Sequence, residues 1–237
     1  MNDTLRNVFK NRSVFLTGHT GFKGSWLTLW LSGLGARVTG YSLKPPTQPS
    51  NFELSGIRER LVAHHEKDIR DHTALRAALG ACKPEIVFHL AAQPVVRESY
   101  WNPIETFDVN VMGAVALLDG IRALRLRCAV VIVTSDKCYE IKPGAPACRE
   151  SDAMGGGDPY SASKGAAELV VSSFRYAFFP QSELDKHGVA LASARAGNAI
   201  GGGDWGPDRI MTDIVLHLAA GKPVPLRNPP AVRPRQH

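Results

Sequence analysis

The chain has 237 residues, of which 44% are hydrophobic and 21% charged, so it is long and apolar enough to bury a substantial core. No stretch approaches the roughly 20 apolar residues of a membrane-spanning helix, and the first residues lack the layout of a signal peptide. The net charge is +6, but the lysines and arginines form no basic block of the kind that binds nucleic acid. We therefore expect a cytoplasmic protein whose charge suits either an anionic small molecule or a solvated basic surface.

The cysteine pattern predicts neither a disulfide framework nor a metal site. The four cysteines form no Cys-x-x-Cys pair and no grouping with histidine that has metal-ligand spacing. We predict reduced thiols, with no assigned chemistry, at Cys82, Cys128, Cys138 and Cys148.

The N-terminal region predicts a strand, a phosphate-binding loop and a helix. An apolar run at residues 13–17 breaks on Gly18, Gly21 and Gly24. Gly18 permits a tight turn, Gly21 lets the backbone approach a pyrophosphate, and Gly24 lets the helix pack closely on its strand. The free N–H groups and the dipole of the helix would then point at the pyrophosphate. The pattern is moderately specific, because glycine-rich turns also serve purely structural ends.

The rest of the chain alternates between strand and helix patterns. An apolar stripe over residues 25–34 predicts a helix, and residues 37–41 predict the second strand. Residues 139–158, rich in Pro, Gly and acidic groups, predict an active-site loop. The alternation predicts an α/β fold with a doubly wound parallel sheet of the Rossmann type, whose ligand lies beyond the carboxyl ends of the strands. Further strands are predicted near residues 61–67, 86–90, 129–134 and 189–195, and further helices over 71–79, 103–124, 160–179 and 209–220.

The composition changes near residue 200. We predict a dinucleotide-binding domain over residues 1–200 and the start of a smaller substrate domain over residues 201–237. The second segment opens on a glycine-rich loop and ends in a Pro- and Arg-rich stretch without a closing element. We therefore expect the second domain to be truncated.

A tyrosine and a lysine four residues apart predict an acid–base site. Tyr160 and Lys164 lie on one face of the helix predicted over residues 160–179. A neighbouring cation favours the phenolate, so Lys164 would lower the pKa of Tyr160 and make it a general acid or base. Ser135, at the end of the fifth predicted strand, offers a hydroxyl to the same oxygen.

These motifs together resemble a known family. The loop at residues 17–24, the segment 89–93, a serine at the end of the fifth strand and the Tyr-x-x-x-Lys pair resemble the extended short-chain dehydrogenase/reductases that act on nucleotide sugars. Within this family the chain closely resembles the 4,6-dehydratases that act on CDP-glucose. That closer likeness lies at residues 18–26, 134–139, 195–198, 201–205 and 227–234.

The resemblance implies that the protein binds NAD and acts on a nucleotide sugar, CDP-glucose. Such enzymes oxidise the sugar at C4, eliminate water across C5 and C6, and return the hydride to C6. Tyr160 would take the proton of the C4 hydroxyl, Lys164 would keep Tyr160 ionised and bind the nicotinamide ribose, and Ser135 would hydrogen-bond the same oxygen.

The resemblance assigns the elimination to two adjacent residues. Asp136 would protonate the departing C6 hydroxyl and Lys137 would remove the C5 proton, each in its less usual protonation state. Related dehydratases of other nucleotides have Glu at the second position, so Lys137 matches the pattern of those specific for CDP sugars. The alternative is a structural ion pair between Asp136 and Lys137 at a turn.

The resemblance also implies a set of cofactor contacts, with His89 expected to be a packed strand residue instead. The usual acidic residue after the second strand is missing, since residues 41–44 contain no carboxylate. Lys44 would favour the 2′-phosphate of NADP, whereas a cycle that returns its hydride favours NAD. The implied cofactor contacts are Thr17, Gly18, His19, Thr20, Gly21, Phe22, Lys23, Gly24, Asp68, Ile69, Leu90, Ala91, Ala92, Gln93, Tyr160 and Lys164.

The C-terminal segment is expected to bind the base and diphosphate of the substrate. The family usually has tryptophan where this chain has Arg235, which removes an aromatic ring from that region. We also expect a homodimer or higher homo-oligomer, formed through helices near residues 103–124 and 160–179 as in the family. The implied substrate contacts are Asn198, Asp204, Trp205, Arg209, Arg227 and Arg233.

Two other functions fit the same fold. An epimerase or reductase of nucleotide sugars would share the cofactor loop, Tyr160 and Lys164 but would not need Asp136 and Lys137. A non-catalytic dinucleotide sensor would need none of these side chains. The presence of all of them favours dehydration.

Overall fold

A computed structural model of the chain describes residues 3–141, 147–226, 229–230 and 235–236. Its six main strands form one parallel sheet in the order β3-β2-β1-β4-β5-β6. The order reverses between β1 and β4, which is where doubly wound sheets bind ligands beyond the carboxyl ends of their strands. The predicted doubly wound parallel sheet is confirmed. The strands are β1 (Ser13–Thr17), β2 (Arg37–Ser42), β3 (Ala63–Glu66), β4 (Ile86–His89), β5 (Ala129–Ser135) and β6 (Ala190–Ala196).

Helices cover both faces of this sheet. Successive β1 residues point to opposite faces, so Phe15 joins one apolar cluster while Val14 and Leu16 join another. The cluster around Phe15 includes side chains of α4, α7 and α8, and the other includes side chains of α1 and α2. The helices are α1 (Asp3–Phe9), α2 (Phe22–Gly33), α3 (Asn51–Leu54), α4 (His72–Cys82), α5 (Val96–Trp101), α6 (Pro103–Phe107), α7 (Gly113–Ala123), α8 (Pro159–Ala177), α9 (Leu184–His187) and α10 (Ile210–Ala219).

The helix predicted over residues 103–124 contains an irregular turn. A π-helical turn, Asp108–Met112, separates α6 from α7 and carries the buried Asn110. Such turns widen a helix locally and are frequent at functional sites. Here the turn lies beside the start of α8.

Some elements have no counterpart in the sequence-based prediction. These are α1, α5, α9 and a short parallel pair formed by β7 (Asn198–Ala199) and β8 (Arg235–Gln236). No helix among the described residues is long and apolar enough to cross a membrane. The division into two domains near residue 200 remains a prediction.

Candidate active site

The glycine loop is shaped by close backbone contacts. Gly18 has a φ of +75°, and a Cβ there would lie 2.7 Å from the backbone of Leu90 and Ala91. A Cβ on Gly24 would lie 2.1 Å from the carbonyl oxygen of Gly18. The tight turn predicted at Gly18 is therefore confirmed, and Gly24 packs against the loop itself.

The N-terminus of α2 is open to an anion. Its N-cap is Gly21, which has no side chain to satisfy the first N–H groups, and its first turn has no acidic residue. A Cβ on Gly21 would meet only the Gly18 carbonyl oxygen, at 3.4 Å. The loop can therefore receive a phosphate group, as the glycine spacing predicts.

Three predicted cofactor residues in this loop use their side chains within the protein. The Thr17 hydroxyl lies 2.8 Å from Nδ1 of the buried His89, and the Thr20 hydroxyl donates to the Leu43 carbonyl at 2.8 Å. His19 is buried with Nε2 2.7 Å from His64 Nδ1, and burial with that neighbour lowers its pKa to about 3. These side chains shape the loop, which leaves its backbone to face a ligand.

Residues near β3 and β4 that are predicted to contact the cofactor also use their side chains within the protein. Asp68 binds the Arg70 guanidinium at 2.6 Å, and this hydrogen bond lowers the pKa of the Asp68 carboxyl. The Gln93 side chain donates to the Thr106 hydroxyl at 2.9 Å. Ile69 is buried, and Leu90, Ala91 and Ala92 follow directly after β4 at the carboxyl edge of the sheet. The segments around residues 68 and 90–93 therefore border the predicted cofactor site.

The predicted Tyr–Lys pair meets Ser135 at the end of β5. Tyr160 and Lys164 are buried on α8, with Lys164 Nζ 6.0 Å from the Tyr160 ring centre. Burial and the nearby Lys23 lower the pKa of Lys164 to about 8. Burial raises the pKa of Tyr160, and a hydrogen bond with the Ser135 hydroxyl opposes that rise only in part. The predicted lowering of the Tyr160 pKa is therefore wrong, because burial of the phenol outweighs the groups that favour the phenolate.

Asp136 and Lys137 form an ion pair in the turn after β5. Lys137 Nζ lies 3.3 Å from Asp136 Oδ1 and donates to Asn198 Oδ1 at 3.2 Å. The Ser135 hydroxyl donates to the same Asp136 oxygen at 3.0 Å. The five predicted catalytic side chains therefore converge on the carboxyl edge of the sheet, and their division of roles remains a proposal.

Cationic groups surround this edge. Lys23, predicted as a cofactor contact, donates to the Gly197 carbonyl at 3.3 Å. Burial and the nearby Arg209 lower the pKa of Lys23, while Asp136 and Asp204 act in the opposite direction. The side chain of Lys23 thus turns from the glycine loop towards the predicted substrate side.

The predicted substrate residues are described in part. Arg209 Nε lies 3.9 Å from Asp204 Oδ2, and Trp205 Nε1 is buried without a hydrogen-bond partner among the described residues. The sequence predicts that Asn198 contacts the substrate. In the structure, the Asn198 side-chain oxygen accepts a hydrogen bond from Lys137. Arg227 and Arg233 lie outside the described residues.

Several residues that the sequence analysis did not name as site residues support the site through hydrogen bonds. Ser99 accepts from the Tyr160 backbone N–H at 3.1 Å, and Asn110 donates to the Ser163 hydroxyl at 2.9 Å. Glu168 accepts from Arg195 at 3.1 Å between α8 and β6. The sequence signal that could have identified Glu168 is its position one helical turn after Lys164.

The strand order, the glycine loop on α2 and the Tyr–Lys pair beside Ser135 define the fold of the extended short-chain dehydrogenase/reductases. The chain belongs to the GDP-mannose 4,6-dehydratase family, whose model matches residues 15–180. It is 52% identical over 232 residues to CDP-glucose 4,6-dehydratase of Salmonella typhimurium, which covers 98% of this chain. The chain spans 64% of the length of that relative.

Solved structures share the fold. UDP-glucose 4-epimerase from Brucella ovis, in complex with NAD, superposes with a TM-score of 0.65 at 27% identity, over 81% of this chain and 53% of that one. Epimerase Mth375 from Methanothermobacter thermautotrophicus gives a TM-score of 0.77 at 22% identity, over 95% of this chain and 63% of that one. The fold is therefore shared by epimerases and dehydratases, so the reaction must be argued from the site.

Proposed function

We propose that the protein catalyses the NAD-dependent 4,6-dehydration of a nucleotide sugar, CDP-glucose, to its 4-keto-6-deoxy product. The observation that carries the proposal is the convergence of Ser135, Tyr160 and Lys164 with the Asp136–Lys137 pair at one edge of the sheet. An epimerase needs the first three groups but not the pair. The 52% identity to a CDP-glucose 4,6-dehydratase supports the choice of nucleotide.

The residues present fit a dinucleotide. The open N-terminus of α2 and the small residues of the glycine loop would receive the pyrophosphate, and the segments at residues 68–69 and 90–93 would border the adenosine half. When bound, NAD supplies the acceptor for the C4 hydride and the donor of that hydride to C6. Residues 41–44, at the end of β2, contain no carboxylate for the ribose, and we propose NAD over NADP because the hydride is returned within each turnover.

The oxidation depends on Tyr160. Its oxygen takes the proton of the C4 hydroxyl while the Ser135 hydroxyl orients the same sugar oxygen. The charge of Lys164 stabilises the phenolate, and Lys164 must therefore be protonated in the working enzyme. The ketone formed at C4 then acidifies the C5 proton.

The elimination moves one proton onto Lys137 and one from Asp136. Lys137 takes the C5 proton, and the electrons of the C5–H bond form the C5–C6 double bond as the C6–O bond breaks. Asp136 gives its proton to the departing hydroxyl, which leaves as water. Lys137 then returns a proton to C5 as the hydride reaches C6. At this point Tyr160 still holds the proton from the C4 hydroxyl and Asp136 lacks the proton that it gave to water. Release of one proton by Tyr160 and uptake of one by Asp136 restore both groups.

The observed ion pair is compatible with these roles. A carboxylate and an ammonium together hold one titratable proton, and so do a carboxylic acid and a neutral amine. Moving that proton from Lys137 to Asp136 prepares the acid and the base without net proton uptake. The ion pair is thus a resting form of the proposed acid–base pair.

We also propose a cytoplasmic protein that self-associates. Apolar side chains on α5 and α6 are strongly exposed, with Trp101 at 77% and Ile104 at 84%, and Leu169 and Tyr176 are exposed on α8. Exposed apolar patches of this kind mark interaction surfaces. A second copy of the chain is the proposed occupant of this face.

The substrate assignment is tested with a panel of nucleotide sugars. The protein, at its full natural length, is offered CDP-glucose, dTDP-glucose and GDP-mannose with NAD, and the 4-keto-6-deoxy product is measured. We expect product from CDP-glucose at a much higher kcat/KM than from the others. Turnover of dTDP-glucose without turnover of CDP-glucose would contradict the assignment.

A further inference from the structure

The register between β5 and β6 places Asn198 opposite Lys137. Ser135, the last residue of β5, pairs with Ala196, the last residue of β6. Lys137 and Asn198 each lie two residues beyond that pair. Their side chains meet at 3.2 Å, with Asn198 Oδ1 accepting from Lys137 Nζ. The contact therefore follows from the sheet and does not depend on a bound ligand.

Lys137 Nζ has two oxygen acceptors, Asn198 Oδ1 at 3.2 Å and Asp136 Oδ1 at 3.3 Å. A neutral amine has two N–H donors and one lone pair in a tetrahedral arrangement. Two acceptors that take the two N–H groups leave only the remaining tetrahedral position for the lone pair. The lone pair is thereby aimed in one direction, which is what proton abstraction from C5 requires.

The orientation of the Asn198 amide matters for the same reason. Its oxygen accepts from Lys137 in either protonation state, whereas its NH2 group would oppose an ammonium or cover the lone pair of a neutral amine. The neighbouring Gly197 carbonyl accepts from Lys23 Nζ at 3.3 Å, so consecutive residues hold the two lysines on the same side.

We propose that Asn198 is the positioning residue of the base, which orients Lys137 for abstraction of the C5 proton. The inference rests on the proposed dehydration and adds a role for Asn198 that is separate from substrate binding. It predicts that loss of the amide impairs proton abstraction more than it impairs the oxidation at C4.

The two steps are measured separately in the protein at its natural length. The 4-keto-6-deoxy product of CDP-glucose is incubated with the enzyme in D2O, and exchange of its C5 hydrogen is followed by NMR, because this exchange needs the base but no oxidation. Cofactor reduction by CDP-glucose in a single turnover reports the C4 oxidation. For Asn198→Ala, with both assays run at saturating substrate, we expect exchange to fall about tenfold more than cofactor reduction does.

The near-isosteric Asn198→Asp variant tests the same contact with the packing retained. The charged groups around the lysines are Asp136 from the turn itself, Lys23 from α2, and Arg209 and Asp204 from the loop before α10. An added carboxylate would pair with the Lys137 ammonium and disfavour the neutral amine that the base requires, so we expect slower exchange than in the wild type. Thermal unfolding of each variant identifies any loss of folding.

Two comparison variants separate the possible outcomes. Arg209→Ala, which changes a predicted substrate residue, should raise KM in both assays. The same joint rise in Asn198→Ala, or exchange at the wild-type rate in that variant, would overturn the positioning role. Exchange at the wild-type rate in Lys137→Ala would instead overturn the proposed base, and the positioning role with it.

Discussion

The buried charge of Lys164 destabilises the folded protein. Its ammonium is buried, and its pKa falls from 10.5 to about 8 because of that burial and of Lys23. The unfolded chain therefore keeps this proton to higher pH than the folded protein does. Below about pH 8 the charged side chain costs the folded state about 3 kcal/mol, and the cost fades between pH 8 and 10.5.

We accordingly predict that Lys164→Met inactivates the enzyme and stabilises it. The free energy of unfolding at neutral pH should rise by up to about 3 kcal/mol, because the buried charge is removed and a side chain of similar length fills its place. Urea unfolding at neutral pH and near pH 10 measures the effect, and the difference from the wild type should shrink at the higher pH. A variant less stable than the wild type at neutral pH would show that Lys164 is a structural residue.

Gly24 allows a sharper test of the glycine loop. A Cβ at this position would overlap the Gly18 carbonyl oxygen at 2.1 Å, so Gly24→Ala must displace the loop. We expect a loss of about 1–3 kcal/mol in stability, together with at least about tenfold weaker binding of NAD. Thermal unfolding and calorimetric titration measure the two effects.

Gly33 on the same helix provides the matched control. A Cβ there would meet no atom within 4 Å, so Gly33→Ala should leave NAD binding unchanged and stabilise α2 by up to about 1 kcal/mol. Equal NAD affinity in Gly24→Ala and Gly33→Ala would contradict the proposed role of the loop.

The individual site residues were predictable to different degrees. Gly18, Ser135, Tyr160 and Lys164 stand in fixed relation to a strand end or a helix turn, so local spacing identifies them. Asn198 reaches Lys137 across 61 residues of chain, and only the register of β5 with β6 brings them together. The pKa of Tyr160 was predicted in the wrong direction because burial cannot be read from spacing.

At the scale of elements, a buried polar network fixes α8 on the sheet. Glu168 accepts from Thr134 on β5, from Ser193 on β6 at 2.8 Å and from Arg195 at 3.1 Å. Arg195 also donates to the Tyr139 hydroxyl at 2.8 Å, which ties the loop after β5 to the same network. These contacts set the position of Tyr160 and Lys164 relative to Ser135.

We predict that Glu168→Gln destabilises the protein by about 3–5 kcal/mol, because it leaves Arg195 without its carboxylate partner inside the protein. Chemical denaturation measures the change. Glu183→Gln is the control, since it removes an exposed ion pair with Lys186 and should cost less than about 1 kcal/mol. Similar costs for the two variants would contradict a structural role for the network.

The elements that sequence patterns predicted are those with strong local signals. Asp71 caps α4 and Asp158 caps α8, each by accepting from a backbone N–H of the first turn. The short helix α5 was not predicted because its N-cap is Val95, whose side chain cannot cap a helix and gives no signal for a helix start. The β7–β8 pair was not predicted because two-residue strands carry no periodicity.

Across the whole molecule, cationic side chains from distant parts of the chain come together at the site. Lys23, Lys137, Lys164 and Arg209 converge at the carboxyl edge of the sheet with Asp136 and Asp204 as the acidic neighbours. These cations are far apart in the sequence and come together only in the folded protein. The net charge of +6 alone therefore could not distinguish a site for an anionic ligand from a solvated basic surface. The convergence of these cations supports an anionic ligand such as a nucleoside diphosphate sugar.

The exposed apolar face of α5, α6 and α8 predicts self-association. Ile104→Glu places a charge on this face and should shift the protein towards the monomer in sedimentation experiments, because a buried carboxylate is costly. Leu54→Glu, on the exposed side of α3, should leave the oligomeric state unchanged. A monomeric wild type, or equal effects of the two variants, would contradict the proposed interface.

In the proposed reaction, one hydride leaves C4 of the sugar and returns to C6. The most direct measurement supplies CDP-glucose carrying deuterium at C4, with NAD in ordinary water, and locates the label in the product by NMR and mass spectrometry. We expect a 4-keto-6-deoxy sugar with the deuterium at C6 and a solvent-derived hydrogen at C5. Recovery of the deuterium at C4 of an epimeric sugar, with the C6 hydroxyl intact, would contradict the proposed reaction.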